Sequence, residues 1–463
     1  MATRQVASGT GAPISDAAMQ AFRARLRGAL LEPSDAEYER ARRVWNGMID
    51  RSPAAIARCA TGAEVADAIG IAREHDLPLA VRGGGHNIAG YGTCDDGVVI
   101  DLSPMRAVRV DPARRVARVE GGAVWGDLDR ATQRFGLATT GGTVTDTGVA
   151  GLTLGGGQGW LMARHGLSCD NLRSVELVTA DGRTVIASAD ENAELFWGLR
   201  GGGGNFGVAT ALEFDLHAVD TVLGGYALFP LARVRDVFDA YQALCAASTD
   251  DFSANITLLT DAAGRPAVSV SFGWCGPLED GERLLAPLRR LGPTEDHIAP
   301  RPYLELQSML DTVLLRGNQH YWKACYVPRI DDDLLDLCLE HHARITSPLS
   351  MVILMQFHGA ASRVPAHATA FGFRQEQWEL EIITQWRDAA EDPAPHLRWT
   401  RDFNQAAQPF TSGHLYVNHM AADEGGRVRA AYDQDAYARL VRLKNEYDPT
   451  NLFRINQNIV PTA

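Results

Sequence analysis

Glycine constrains this chain more than any other residue, because it is gathered into four clusters in the first half: Gly83-Gly84-Gly85, Gly141-Gly142, Gly155-Gly156-Gly157 with Gly159, and Gly201 to Gly204 with Gly207. Glycine loses the most backbone entropy on folding, so such concentration needs a reason, and the close approach of a ligand to the main chain supplies one. A tight turn explains any single cluster equally well, but four together favour a bound anion of dinucleotide size. Gly202, Gly204 and Gly207 match G-x-G-x-x-G, yet they follow a helix-like stretch, Ala193 to Arg200, and feed a strand. The Rossmann fingerprint requires strand before and helix after, so that fold is rejected, and a pyridine-nucleotide dehydrogenase with it. No cluster ends in Gly-Lys-Ser/Thr, and neither G-x-S-x-G nor H-E-x-x-H occurs, which removes P-loop, serine-hydrolase and zinc-protease readings.

Periodicity predicts a helix over 61–76, opened by a capping-box pattern of Thr61 and Glu64, with Val65, Ile69 and Ala72 on one face. Strands are predicted at 79–82 and 98–102, two more over 106–120 about Asp111-Pro112, and a helix over 124–135. Residues 172–188 alternate on both sides of Asp181-Gly182, which suits a two-residue hairpin turn, and a strand over 208–216 closes the first half. From Gly224 the pattern changes to longer strands, at 256–259, 268–272 and 351–357, separated by helices such as 234–247. This predicts an α+β fold with one antiparallel sheet in the second half and helices on one of its faces. The acidic run Asp331 to Asp333 reads as a solvated helix start, so no metal site is expected.

Composition narrows the function classes. The chain has 463 residues with 46% hydrophobic and 22% charged, and a formal net charge of −13 that leaves no basic stripe for nucleic acid. Residues 1–30 carry basic side chains without an apolar core, and no stretch approaches the apolar length of a membrane span, so a cytoplasmic location is expected. Seven scattered cysteines without a C-x-x-C pair suggest neither a disulfide framework nor a zinc site.

His86 is the residue in these loops best suited to chemistry. It follows three glycines where a predicted strand ends, with Arg82 suited to a pyrophosphate and Asn87 as a polar neighbour, and so describes a nucleophilic imidazole beside an anionic cofactor.

The element Arg82-Gly83-Gly84-Gly85-His86-Asn87 resembles the flavin-attachment loop of the vanillyl-alcohol oxidase superfamily, also called the para-cresol methylhydroxylase type, in its berberine bridge enzyme-like branch. Gly155-Gly156-Gly157-Gln158-Gly159, Arg164-His165-Gly166-Leu167 with Asp170-Asn171, and Leu195-Phe196-Trp197 leading to Arg200 through Val208 match the same branch. So do Tyr416-Val417-Asn418, Arg439-Leu440, Lys444, Tyr447-Asp448-Pro449, Asn451-Leu452-Phe453 and Asn456-Gln457-Asn458-Ile459 near the C-terminus. The resemblance runs from about Val44 to Pro461 and is strongest to bacterial members such as 6-hydroxy-D-nicotine oxidase and natural-product oxidases.

The resemblance implies a two-domain FAD-binding fold: residues 1–219 (core about 52–219) hold FAD, 220–445 supply an antiparallel substrate sheet, and 446–463 return to the flavin. It implies an FAD-linked oxidase whose flavin is bound through an 8α-histidyl bond to His86, with hydride transfer from substrate to flavin N5. The remaining cofactor contacts carry over to Arg82, Gly83, Gly84, Gly85, Asn87 and Gly90; to Gly142, Thr143, Val144, Thr147, Gly148 and Gly151; to Leu154, Gly155, Gly156, Gly157, Gly159 and Asn171; and to Asn205, Phe206, Gly207, Val208, Asn456 and Asn458. Many members add a cysteine bond from a Gly-x-Cys-Pro-Thr element, but this chain has Gly142-Thr143-Val144-Thr145, so a single bond is expected and Cys169 is taken as structural.

By the resemblance, Tyr432 is the first candidate base, because it precedes the helix 433–447 where relatives often place a site tyrosine, followed by Tyr416 and Asn418. Gln356 and His358 share one side of the strand that lines the substrate cavity in relatives, where Val352 to Met355 provide no carboxylate. The expected partners are a small aromatic or alicyclic alcohol, amine or natural-product-like substrate and molecular oxygen, without nucleic acid or membrane. Oxidase is favoured. Dehydrogenase, oxygenase, oligosaccharide oxidase and a non-catalytic flavin binder remain the alternatives.

Overall fold

The computed structural model describes residues 16–247 and 249–462, so the first 15 residues of the domain expected over 1–219 lie outside the described residues. The fold is α+β, as expected. In the first half, the helix Gly62–Glu74 begins where Thr61 Oγ1 accepts the Glu64 backbone N–H, while the Glu64 carboxylate reaches back to the N–H of Ala60 at 2.8 Å. Val65, Ala68, Ile69 and Ala72 form its buried face. That face covers a four-stranded sheet ordered Leu30–Leu31, Ala55–Arg58, Val98–Asp101, Leu79–Arg82, whose last three strands run parallel.

Beside it lies a five-stranded antiparallel sheet ordered Val108–Asp111, Val116–Glu120, Val208–Asp215, Leu172–Val178, Thr184–Ser188. The Asp181-Gly182 hairpin is wider than a two-residue turn. The Thr179 N–H bonds to the Arg183 carbonyl, and of the two turn residues only Gly182 has positive φ.

The second half is built on one antiparallel eight-stranded sheet. Its main order is Glu295–Asp296, Thr221–Pro230, Pro266–Trp274, Phe252–Thr260, Met351–Phe357, Gln377–Trp386, Gln319–Val327, and Ala299–Pro302 also pairs with Thr221–Pro230. Val352 and Leu354, Leu380 and Ile382, and Cys325 and Val327 point to one face, where the helices Val234–Ala247, Leu278–Arg290, Asp332–His342 and Ala394–Ala407 pack over them. Period-two alternation leaves the residues between them on the opposite face, which looks toward the glycine loops.

The chain returns to the first half before residue 446. Leu415, Tyr416, Val417, Met420, Tyr432, Leu440 and Leu443 share a core with Trp125, Leu177, Phe206 and Phe214, and the helix Gln434–Tyr447 packs on the first-half helix Ala193–Leu199.

Candidate active site

The glycine loops and the open sheet face enclose a cavity of about 310 Å³. Its first-half wall is made by Arg82, Gly83, Gly84, Gly85, His86 and Asn87, by Gly142, Thr143, Val144, Thr147, Gly148 and Gly151, and by Gly159, Asn205 and Asn456. Those expected cofactor residues are therefore brought together. Gln158, Gly202, Gly203, Gly204 and Gln457 join them.

Gly90, Leu154, Gly155, Gly156, Gly157, Asn171, Phe206, Gly207, Val208 and Asn458 do not line the cavity. Most of them hold the loops from behind. A Cβ on Gly90 would stand 2.6 Å from Ile49, one on Gly155 2.2 Å from Asn418 Oδ1, one on Gly156 2.8 Å from Phe371, one on Gly157 2.3 Å from Ser168 Oγ and one on Gly207 2.6 Å from the Val178 carbonyl. Leu154 and Phe206 are core, Val208 begins a strand, and Asn171 bonds to the carbonyls of His165 and Leu167.

The wall fits a large polar cofactor. Arg82 gives one guanidinium nitrogen to Asp101 at 3.0 Å, while its buried Nη1 has no partner. Gln158 Oε1, Asn456 Oδ1, Gln457 Nε2 and Trp322 Nε1 are likewise buried without a partner in the walls of the same cavity. Buried polar atoms are normally satisfied, so a cluster of orphans around one cavity indicates a bound group that satisfies them. Gly151 and Gly204 leave open space where a Cβ would stand, which is the glycine environment a closely approaching ligand requires.

His86 lies on this wall with its Nε2 at 2.9 Å from Asp146 Oδ1 and its ring stacked on Trp45 at 4.3 Å. Burial is the largest influence on the imidazole and lowers its pKa below the usual value, against the pull of Asp146. For Asp146, burial opposes ionisation, but the His86 hydrogen bond and the charges of His86 and Arg316 outweigh it and hold the carboxyl below its usual range. Val144 is buried on the wall among Trp45 and Ile88, no cysteine lines the cavity among the described residues, and Cys169 is fully buried elsewhere.

On the sheet side, Asn255, Trp322, Ile353, Met355 and Glu381 face the cavity. Gln356 and His358 do not: on their strand Ile353 and Met355 point inward, and the alternation turns Gln356 away. His358 instead bonds to the Phe252 carbonyl at 3.0 Å. The carboxylates sit one strand over. Glu379 and Glu381 are two residues apart on Gln377–Trp386, directly opposite Met355 and Ile353, and both are buried.

His419 completes this group, its Nδ1 at 2.8 Å from Glu379 Oε1. Burial raises the pKa of Glu381 to about 7, reinforced by the charge of Glu379 and opposed by His419. For His419 burial favours the neutral ring, but the two carboxylates overcome it and raise its pKa to about 9. The three ligating atoms lie within 4.8 Å of one another, a donor set able to hold a cation as well as a proton.

Tyr416, Asn418 and Tyr432 do line the cavity. The Tyr416 hydroxyl accepts from the Gly157 N–H at 2.8 Å and from Asn418 Nδ2 at 2.7 Å, so its own proton is left to donate. Tyr432 donates its proton to the Gly201 carbonyl at 3.1 Å. Burial pushes both phenols above their usual pKa, which favours their protonated, hydrogen-bond-donating form.

Asp146, Arg316, Trp45, Glu379, Glu381 and His419 were not singled out by the sequence. The one available signal was the alternation Trp378-Glu379-Leu380-Glu381-Ile382, two acids on one side of an otherwise apolar strand.

Residues 53–188 match a family model described as an FAD binding domain, and residues 415–460 match one described as berberine and berberine like. The chain is 31% identical to (R)-6-hydroxynicotine oxidase of Paenarthrobacter nicotinovorans over 94% of its length and 97% of that protein's. This chain belongs to the berberine bridge enzyme-like FAD-linked oxidoreductases. The crystal structure of 6-hydroxy-D-nicotine oxidase from Arthrobacter nicotinovorans superposes on this flavoenzyme with a TM-score of 0.86 at 30% identity, covering 94% of this chain and 98% of that one. Chitooligosaccharide oxidase shares the fold, with a TM-score of 0.84 at 21% identity over 96% of this chain and 100% of that one. FAD is therefore the group for which the glycine loops and orphaned polar atoms are built. No helix among the described residues is long and apolar enough to cross a membrane.

Proposed function

We propose that this flavoenzyme is an oxidase that carries FAD on a single 8α-histidyl bond to His86 and oxidises a small aromatic or alicyclic alcohol or amine, with dioxygen as final acceptor. Residues 1–219 together with the segment from Leu415 onward would hold the cofactor, and the large sheet between them the substrate. The observation that carries this reading is the placement of His86 on the wall of the glycine-lined cavity, with Nε2 held by Asp146 and no cysteine among the described lining residues.

When bound, the flavin supplies the hydride acceptor. The chain's own residues do the rest. Glu381, once ionised, accepts the substrate O–H or N–H proton, and His419 with Glu379 holds compensating charge beside it. The Tyr416 hydroxyl donates a hydrogen bond into the cavity. Trp322, Ile353, Met355, Leu310 and Leu314 provide apolar walls that exclude water and suit a ring better than a sugar chain. The relative named for 6-hydroxynicotine supports a small heteroaromatic substrate.

Acid denaturation followed by absorbance and intact mass of the protein fraction tests the cofactor reading. The expected result is yellow protein with one added FAD mass, lost in His86→Ala. Colourless wild-type protein of unmodified mass would overturn the covalent bond. Flavin bleaching by candidate amines and alcohols, with oxygen uptake, then tests the activity.

A further inference from the structure

The hydrogen bond between His86 and Asp146 determines more than the orientation of a ring. A carboxylate can only accept, so at 2.9 Å from Asp146 Oδ1 the His86 Nε2 carries the imidazole proton and the lone pair lies on Nδ1. Asp146 itself is fixed from the second half of the chain. Arg316 donates through Nε to Asp146 Oδ2 at 2.9 Å and through Nη2 to the Gly84 carbonyl at 3.0 Å, in the loop that carries His86. One residue earlier, the backbone N–H and hydroxyl of Thr145 both bond to the Asp311 carboxylate, at 2.8 and 2.6 Å. Residues 308–318 thus grip the Asp146 loop at two adjacent positions. Trp45 lies against the other side of His86 and accepts the Gly317 N–H through its carbonyl at 2.8 Å.

From this arrangement we propose that Asp146, clamped by Arg316, is the positioning residue for covalent flavin attachment: it makes Nδ1 of His86 the nucleophile and stabilises the positive charge that develops on the ring as the bond forms. The inference rests on the reading of His86 as the attachment site. In the balanced step the Nδ1–C8α bond forms, the C8α–H bond breaks and the Nε2 proton leaves toward Asp146. The two electrons released reach dioxygen, which with both protons becomes hydrogen peroxide. Because Arg316 belongs to the second half, attachment requires both halves to be assembled around the cavity.

The test uses full-length apoprotein from riboflavin-starved cells. FAD is added across a range of pH, non-covalent binding is read by ultrafiltration, and the acid-stable fraction is followed by intact mass. Asp146→Asn is expected to retain FAD on ultrafiltration yet attach it about ten- to a hundredfold more slowly, the scale of one lost charge-assisted hydrogen bond, with partial recovery in Asp146→Glu. The pH profile separates this role from a merely structural one. Attachment fails at low pH when His86 is protonated. Removing the carboxylate that stabilises the imidazolium moves that fall to lower pH, whereas Arg316→Met removes an opposing positive charge and moves it to higher pH. Opposite shifts in the two variants support the proposal. A wild-type attachment rate in Asp146→Asn, or an unmoved profile in both variants, overturns it. Acid-stable flavin persisting in His86→Ala would instead overturn the attachment reading beneath it, so the two failures are distinguishable.

Discussion

Glu381 and His419 illustrate how burial and neighbouring charge move two groups in useful directions. Glu381 must be ionised to act as base, and its pKa is raised to about 7, while the His419 imidazolium that accompanies it is lost only above about 9. The profile of kcat/KM against pH is therefore expected to rise through about 7 and fall near 9, the two limbs belonging to the coupled group as a whole. Glu381→Gln should lower kcat/KM by about 10²- to 10⁴-fold and remove the lower limb while leaving the acid-stable flavin content unchanged. Steady-state kinetics across pH measures the first two, and acid denaturation followed by absorbance of the protein fraction the third. Neither residue stood out from the sequence, because strand alternation says which residues share a face but not which face meets a cavity. Gln356 and His358 passed the same alternation test and lie on the wrong side.

Among local elements, the glycine loops divide into two kinds that composition cannot separate. A Cβ on Gly84 would stand 2.3 Å from the Gly148 nitrogen, so these two backbones pack directly on each other, whereas Gly204 meets nothing within 4 Å. Gly84→Ala is expected to lower the melting temperature of the protein and prevent flavin loading. Gly204→Ala should leave apoprotein stability near wild type and weaken FAD binding alone, as calorimetry and flavin titration would show.

The closing helix has a comparable knot. Lys444 and Asp448 are fully buried, and Lys444 Nζ donates to Asp448 and to the carbonyls of Asn205 and Phe453. Lys444→Met would leave an uncompensated buried carboxylate and should cost about 3–5 kcal/mol in denaturant unfolding. The expected helices and strands mostly match the observed ones because capping and periodicity are local properties. The Asp181-Gly182 turn differs by an added residue that local patterning did not specify.

For the molecule as a whole, the cavity exists because distant segments are brought together. Gln319–Val327 pairs with Gln377–Trp386 at the sheet edge, and Leu415 to Leu443 re-enter the first-half core. A chain ending at Phe410 would lack Leu415, Tyr416, Val417, Leu440, Leu443 and Ile459 from that core, together with the cavity residues Tyr416, Asn418, His419 and Tyr432. Such a truncation is expected to give colourless, aggregation-prone protein, checked by flavin absorbance and size-exclusion chromatography.

By itself the sequence determined the glycine loops that wall the cavity, the place of His86 on them, the α+β character and the return of the C-terminal segment, because each is written in contiguous residues whose types suffer few substitutes. Only the tertiary structure decided which side of the large sheet faces the flavin, that Glu379, Glu381 and His419 form one charge-coupled group, and that Arg316 holds Asp146 against His86. Those relations join residues from about 40 to 170 positions apart, and a period along a strand contains no information about its partners.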